Sequence, residues 1–269
     1  MGAEIKQLRT RIKSVNSTLH LTKAMGLVAS SKIRKATEHM FQSRDYISAF
    51  QSAMDVMVSS AECKKSPYLQ VRSEEKLCLV VIAGDRGLAG GYNANVFRFM
   101  REFSDATVIP VGKRTWERYG GDGRLYSSEH FTAEEALALA ESLCDGFIAG
   151  TYDRIGIVWT EFISVMSQEP RVTWVLPFEH KVEKSCSSVL FEPDPLAVFH
   201  HVIVEYVAGL LVAKVRESFA SEVAARRNAM DSAEKNAQEM IDELRLSYNR
   251  ARQGTITQEI TEIVAGSGS

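Results

Sequence analysis

Three stretches of this chain hold residue types that could do chemistry. The first is Gly84-Asp85-Arg86-Gly87-Leu88-Ala89-Gly90-Gly91, which follows the apolar run Leu77–Ala83 and precedes a helical pattern. Backbone amides at such strand-to-helix turns cradle phosphate in nucleotide-binding folds. Here the glycines fall as G-x-x-G-x-x-G, neither the dinucleotide fingerprint nor a P-loop, and no Gly-Lys-Ser/Thr occurs in the chain. Only a tight turn is established. The second is His180 with the pair His200-His201. Neighbouring helical residues point about 100° apart, and no cysteine or carboxylate stands at ligand spacing, so these histidines read as solvated or capping. A Gly-x-Ser-x-Gly elbow and a His-Glu-x-x-His pair are both absent, which leaves catalysis, metal and cofactor without support.

The third lies at the two ends. Lys6, Arg9, Arg11, Lys13, Lys23, Lys32, Arg34 and Lys35 occur with no acidic residue between Glu4 and Glu38. Such a stripe is either a solvated face or a surface for phosphate backbone or acidic protein loops. No aromatic residue precedes Phe41, which weakens the nucleic-acid reading. Near the other end, Ile256, Ile260, Ile263 and Val264 are spaced to form one helical face among polar groups. That pattern suits a tip entering another protein's apolar collar.

The elements carrying these residues follow from where the breakers fall. All 6 prolines lie between Pro67 and Pro195, and 11 of 17 glycines between Gly84 and Gly156. Both ends therefore read as uninterrupted helix around a compact insert. Heptad position a takes Ile5, Ile12, Leu19, Gly26, Ile33, Met40, Ile47 and Met54, and position d takes Leu8, Val15, Thr22, Ala29, Ala36, Ser43, Phe50 and Met57. Such a repeat predicts a coiled-coil strand of roughly 85 Å over residues 3–59, which needs a partner along its length. A second helix, with Asp194 as N-cap and Pro195 at its first position, supplies it. Its stripe runs Val204, Val207, Leu211, Val215, Phe219, Val223, Met230, Ala233, Ala237, Met240, Leu244, Tyr248, Ala251 and Ile256.

Between them, strands are expected at Leu77–Ala83, Ala106–Val111, Ile155–Ile163 and Arg171–Phe178, with helices at Asn93–Phe103, Lys113–Tyr119 and from the capping box Thr132/Glu135 to Gly146. The expected fold is a long antiparallel two-helix coiled coil with a Rossmann-like α/β domain inserted, divided into an N-terminal shaft helix 1–66, a central domain 67–193 and a C-terminal shaft helix 194–269. A net charge of -2 leaves any electrostatic role local. Four cysteines without CxxC spacing and no signal peptide point to a reducing compartment, and no apolar run reads as a membrane span.

At both ends the chain resembles the gamma subunit of the F-type rotary ATP synthase, of the bacterial type. The motifs are Ile12-Lys13-Ser14 with Leu21–Ala36 (LTKAMGLVASSKIRKA), Tyr248–Gly266 (YNRARQGTITQEITEIVAG), and Asp85-Arg86-Gly87-Leu88 with Gly90-Gly91 and Asn93. The resemblance spans essentially the whole chain in the family's order. It implies a non-catalytic rotor shaft standing inside a ring of alpha and beta subunits, with the α/β domain on the epsilon subunit and the c-ring. Proton or sodium ion flow would turn the shaft, peripheral to the cytoplasmic face of the plasma membrane. Carried over by motif, Arg252, Gln253 and Thr257 match residues bonding a beta-subunit loop, and Met25, Arg226 and Lys23 lie near the acidic lever loop. Ile256, Ile260, Ile263 and Val264 match the bearing. Gly26 departs from the polar helix former usual there. Rival classes are a self-associating coiled-coil nucleic-acid binder and a nucleotide enzyme using the Gly84 loop.

Overall fold

A computed structural model describes residues 2–60, 62–73, 75–120, 125–179, 192 and 194–267. His180, Cys186 and Pro193 lie outside them. The elements are α1 (Gly2–Val58), β1 (Leu77–Ile82), α2 (Tyr92–Phe99), β2 (Thr107–Val111), α3 (Lys113–Tyr119), α4 (Ala133–Ile148), β3 (Arg154–Phe162), β4 (Gln168–Leu176) and α5 (Pro195–Ser267). Short 3-10 turns cover Cys63–Lys65, Pro67–Leu69 and Met100–Phe103, so the helix expected over Asn93–Phe103 tightens in its last turn. The chain forms two compact units, one of α1 up to Ser30 with α5 from Arg226, the other Ser31–Ala225.

The first unit is a helix pair. All eight of its heptad positions on α1, from Ile5 to Ala29, are buried or half-buried, and the matching stripe on α5 is Met230, Ala233, Ala237, Ile241, Leu244, Tyr248, Ala251 and Thr255. Gly26 lies against Met230, while Leu19 and Lys23 share a cleft with Asp231 and Gln238, so the helices run antiparallel. Two expected seam residues are displaced: Met240 is 42% exposed beside Ile241 at 1%, and Ile256 is 45% exposed beside the half-buried Thr255. Counting on from Ala237, a helix of 3.6 residues per turn brings position 241 back to the seam and leaves 240 on its flank. Past Thr255 the seam stops, and residues 256–266 are exposed on every side.

The second unit is a three-layer sandwich. Strand order is β2-β1-β3-β4, with β1 parallel to β2 and to β3, and β4 antiparallel to β3. Leu79, Val81 and Val158 face Val96 and Met100 beside α2. Cys78, Val80, Ile82, Ile155 and Ile157 face Leu139, Leu143 and Phe147 of α4, Phe199, Ile203 and Leu211 of α5, and Met54 of α1. Burial on both faces is why β1 reads as the unbroken apolar run LCLVVI. Each fully buried Leu, Ile or Phe contributes about 1.5–3 kcal/mol.

Both expected caps form. The Thr132 hydroxyl accepts the Glu135 amide at 3.1 Å while the Glu135 carboxylate accepts the Thr132 amide at 3.1 Å, and Asp194 accepts the Ala197 amide at 2.8 Å ahead of Pro195. One expectation is corrected. A stretch of α5 is long and apolar enough to cross a membrane by length and composition, with a mean hydropathy of 1.9. Its apolar side chains include Phe199, Ile203, Val207 and Leu211, which are buried between sheet and helices, so core packing accounts for the composition.

Candidate functional site

The glycine-rich turn is built from the inside by its own side chains. Asp85 accepts the Lys113 amide at 2.9 Å, the Ser127 hydroxyl at 2.7 Å and the Glu129 amide at 3.1 Å. Burial would raise its carboxyl, but these donors outweigh burial and hold it below the usual carboxylate range. The Gly84 amide is taken by Asn93 Oδ1 at 2.9 Å, and a Cβ on Gly84 would lie 2.8 Å from the carboxylate of the buried Glu222. Asp85 and Glu222 thus fill the inside of the turn, with Arg114 against Gly87 at its other side. The turn ties β1 to α2, α3 and the segment before α4.

The histidine reading sharpens similarly. His200 Nε2 shares a hydrogen bond with Ser66 Oγ at 3.0 Å and meets the Tyr68 ring edge-on at 5.5 Å, which fixes the 3-10 turns onto α5. Among the described residues, no three His, Cys, Asp or Glu side chains stand close enough to hold a metal ion.

The basic stripe is not uniform. Lys32 is bonded to Glu129 across 97 residues of sequence, and Arg86 pairs with the same carboxylate at 3.3 Å. Burial raises the Glu129 carboxyl, yet the Lys32 contact and the charges around it lower it overall. Arg34 pairs along the helix with Glu38 at 3.3 Å. Lys32 is thus a tether between α1 and the α/β layers, while Lys6, Arg9, Arg11, Lys13, Lys23 and Lys35 are exposed.

The residues singled out for coupling fall at two levels of the helix pair. At the first, Met25 is half-buried beside Gly26, Lys23 is exposed, and Arg226 is half-buried one turn before Met230. Lys23 also lines a cleft of about 530 Å³ with His20, Asp231, Glu234 and Lys235. At the second, Arg252, Gln253 and Thr257 are all exposed on α5. Helical rise separates Arg226 from Arg252 by about 39 Å. The tip residues Ile256, Ile260, Ile263 and Val264 are 45%, 55%, 70% and 65% exposed. Sequence reasoning overlooked Leu21, Leu27 and Val28, which are exposed on the outer face of α1. Their signal was available, since apolar residues outside positions a and d have no seam to fill.

One unit is an antiparallel helix pair formed by the two ends of the chain with an apolar helix end left uncovered, and the other is an α/β sandwich formed by the residues between them, which defines the class as a two-helix coiled coil with an inserted sheet domain. The chain is similar over its whole length to named proteins. It matches the family model described as ATP synthase over residues 4–269. It is 39% identical to the ATP synthase gamma chain of Ruminococcus albus, with 98% of each chain covered. It is 35% identical to the sodium ion specific ATP synthase gamma chain of Acetobacterium woodii, covering 99% of this chain and 98% of that one. Among solved structures it resembles a chain of the Euglena gracilis mitochondrial ATP synthase at a TM-score of 0.69, with 18% identity and 98% and 94% coverage. The Tetrahymena thermophila central stalk matches at a TM-score of 0.64, with 22% identity and 79% and 99% coverage. This chain belongs to the ATP synthase family, among its gamma chains. Nothing in these likenesses favours the nucleic-acid binder.

Proposed function

We infer that this chain is the central-stalk rotor subunit of an F-type ATP synthase, coupling ion flow across a membrane to ATP synthesis and hydrolysis. The observation that carries the reading is the uncovered end of α5. Ile256, Ile260, Ile263 and Val264 present apolar surface after the partner helix has ended, and an apolar helix end of this kind fits a collar supplied by another protein.

On this reading, alpha and beta subunits ring the helix pair, and the sheet domain rests on the epsilon subunit and the c-ring. The coupling ion is a proton or a sodium ion, and the complex works at the cytoplasmic face of a bacterial plasma membrane. The chain itself does no catalysis. The shaft helices would be residues 1–66 and 194–269, with 67–193 as base. Arg252, Gln253 and Thr257 would bond one beta-subunit loop, and Lys23, Met25 and Arg226 would meet another loop lower down. Coupling is then differential binding: each orientation of the shaft favours one beta conformation only by the difference in its contacts. A tenfold preference needs about 1.4 kcal/mol, within reach of one or two charge-assisted hydrogen bonds.

The test is ATP turnover by the reconstituted complex. Arg252→Ala with Gln253→Ala should lower turnover at least severalfold while the chain still assembles. Turnover equal to the parent would remove both residues from the coupling surface, and failure of the chain to join purified alpha and beta subunits would overturn the rotor reading itself.

A further inference from the structure

A cleft of about 490 Å³ lies in the Ser31–Ala225 unit between α1, α5 and the residues just before α4. That volume is within the roughly 300–1,000 Å³ of small-molecule sites. Beyond the paired Lys32, its cations come from two elements, Lys35 on α1 and Arg216 on α5, with the imidazoles of His39 and His130 beside them. The one carboxylate in its lining, Glu129, is already paired with Lys32 and Arg86. Positive charge is therefore in excess, whereas the neighbouring cleft along α5 carries Glu134 and Glu205 and the helix-pair cleft carries Asp231 and Glu234.

The rest of the lining is apolar. Val212, Phe219 and Phe131 are partly exposed there over the buried Val215, so an open apolar surface lies beside the cations. Ser128 lines the same cleft, and its buried hydroxyl has no hydrogen-bond partner among the described residues. An unpartnered buried hydroxyl costs about 1–3 kcal/mol. Lys35 and Arg216 have no carboxylate within ion-pairing distance among the described residues, and Arg216 instead donates to Ser43 Oγ at 2.8 Å.

We propose that this cleft binds an amphipathic organic anion, one with a carboxylate or sulfonate head and an aliphatic or aromatic body. The head sits by Lys35 and Arg216, and the body covers Val212 and Phe219. A bare inorganic anion would leave the apolar surface wet, and a neutral apolar molecule would leave the cations uncompensated.

The experiment is a fluorescence titration of the full chain with 8-anilinonaphthalene-1-sulfonate, with laurate and inorganic phosphate as competitors. Saturable binding of one dye per chain, displaced by laurate and not by phosphate, is expected. Lys35→Glu should weaken it at least tenfold, and Arg216→Gln by a similar factor, with the helical circular dichroism unchanged. Lys13→Glu, on the same helix away from the cleft, should leave it within twofold of the parent. Binding that does not saturate, displacement by phosphate as readily as by laurate, or equal effects of Lys13→Glu and Lys35→Glu would overturn the proposal.

Discussion

The Glu217 carboxylate on α5 is held by the guanidinium of Arg44 on α1 and also accepts the Phe162 amide at 3.3 Å, while Arg44 reaches the Phe162 carbonyl at 3.2 Å. Two helices and the end of β3 thus meet at one charged pair. Glu217 is 3% exposed and Arg44 40%, so most of the desolvation falls on the acid.

Removing the base should therefore hurt more than removing both charges. Arg44→Met leaves a buried carboxylate short of its main partner and is expected to cost about 3 kcal/mol, the low end for a broken buried pair because Arg44 is partly wet. The double variant Arg44→Met, Glu217→Met should cost less than the single one in urea unfolding. A double variant at least as unstable as Arg44→Met would show that the pair is worth more than its desolvation.

Two glycines should respond in opposite directions to alanine. A Cβ on Gly26 would meet Met230 Cβ at 3.5 Å, an ordinary contact, so Gly26→Ala should stabilise the helix pair by up to about 1 kcal/mol through helix propensity. Gly112 has φ +95° and its Cβ would lie 2.0 Å from the Ala83 carbonyl oxygen, so Gly112→Ala forces backbone apart and should lower the melting temperature sharply. Thermal unfolding checks both. A loss in Gly26→Ala would mean that the seam cannot take even a methyl group.

Lys214 gives a pH dependence with a defined sign. Its ammonium lies 3.3 Å from the centre of the Trp159 ring and 3.9 Å from Glu217. Burial, joined by Arg44 and opposed by Glu217 and Glu161, pulls it from 10.5 to about 8. The folded chain thus releases this proton before the unfolded chain does. Between about pH 8 and 10.5 the unfolded state binds more protons, and this group's contribution to stability rises with pH. Lys214→Met lacks it, so whatever stability the variant gains over the parent at pH 7 should shrink toward pH 10. A gap independent of pH would refute the assignment.

Much of this architecture is visible in local pattern. The sixteen heptad positions from Ile5 to Met57 are all buried or half-buried, because a 3.5-residue repeat is a property of one segment. The caps at Thr132 and Asp194 need only four residues each. What escaped was long-range. Lys32 looked like one more surface cation until the fold brought Glu129 beside it, and the Gly84–Gly91 stretch read only as a tight turn, with no sign of the three donors from distant segments that converge on Asp85. The candidate coupling residues stand apart from both groups. Arg252 and Gln253 are simply exposed, so the coupling role proposed for them has no contact within this chain to be read from.

The bare end of α5 has a thermodynamic consequence. Residues 256–266 carry helix with no seam beneath it, and a helical stretch shorter than about 12–15 residues is marginal in water by itself. The neighbouring turns nucleate it, but nothing buries its isoleucines. On the rotor reading proposed above, ordering this end would release free energy when a collar dehydrates it, and its cooperativity would then belong to assembly rather than to the folding of the isolated chain.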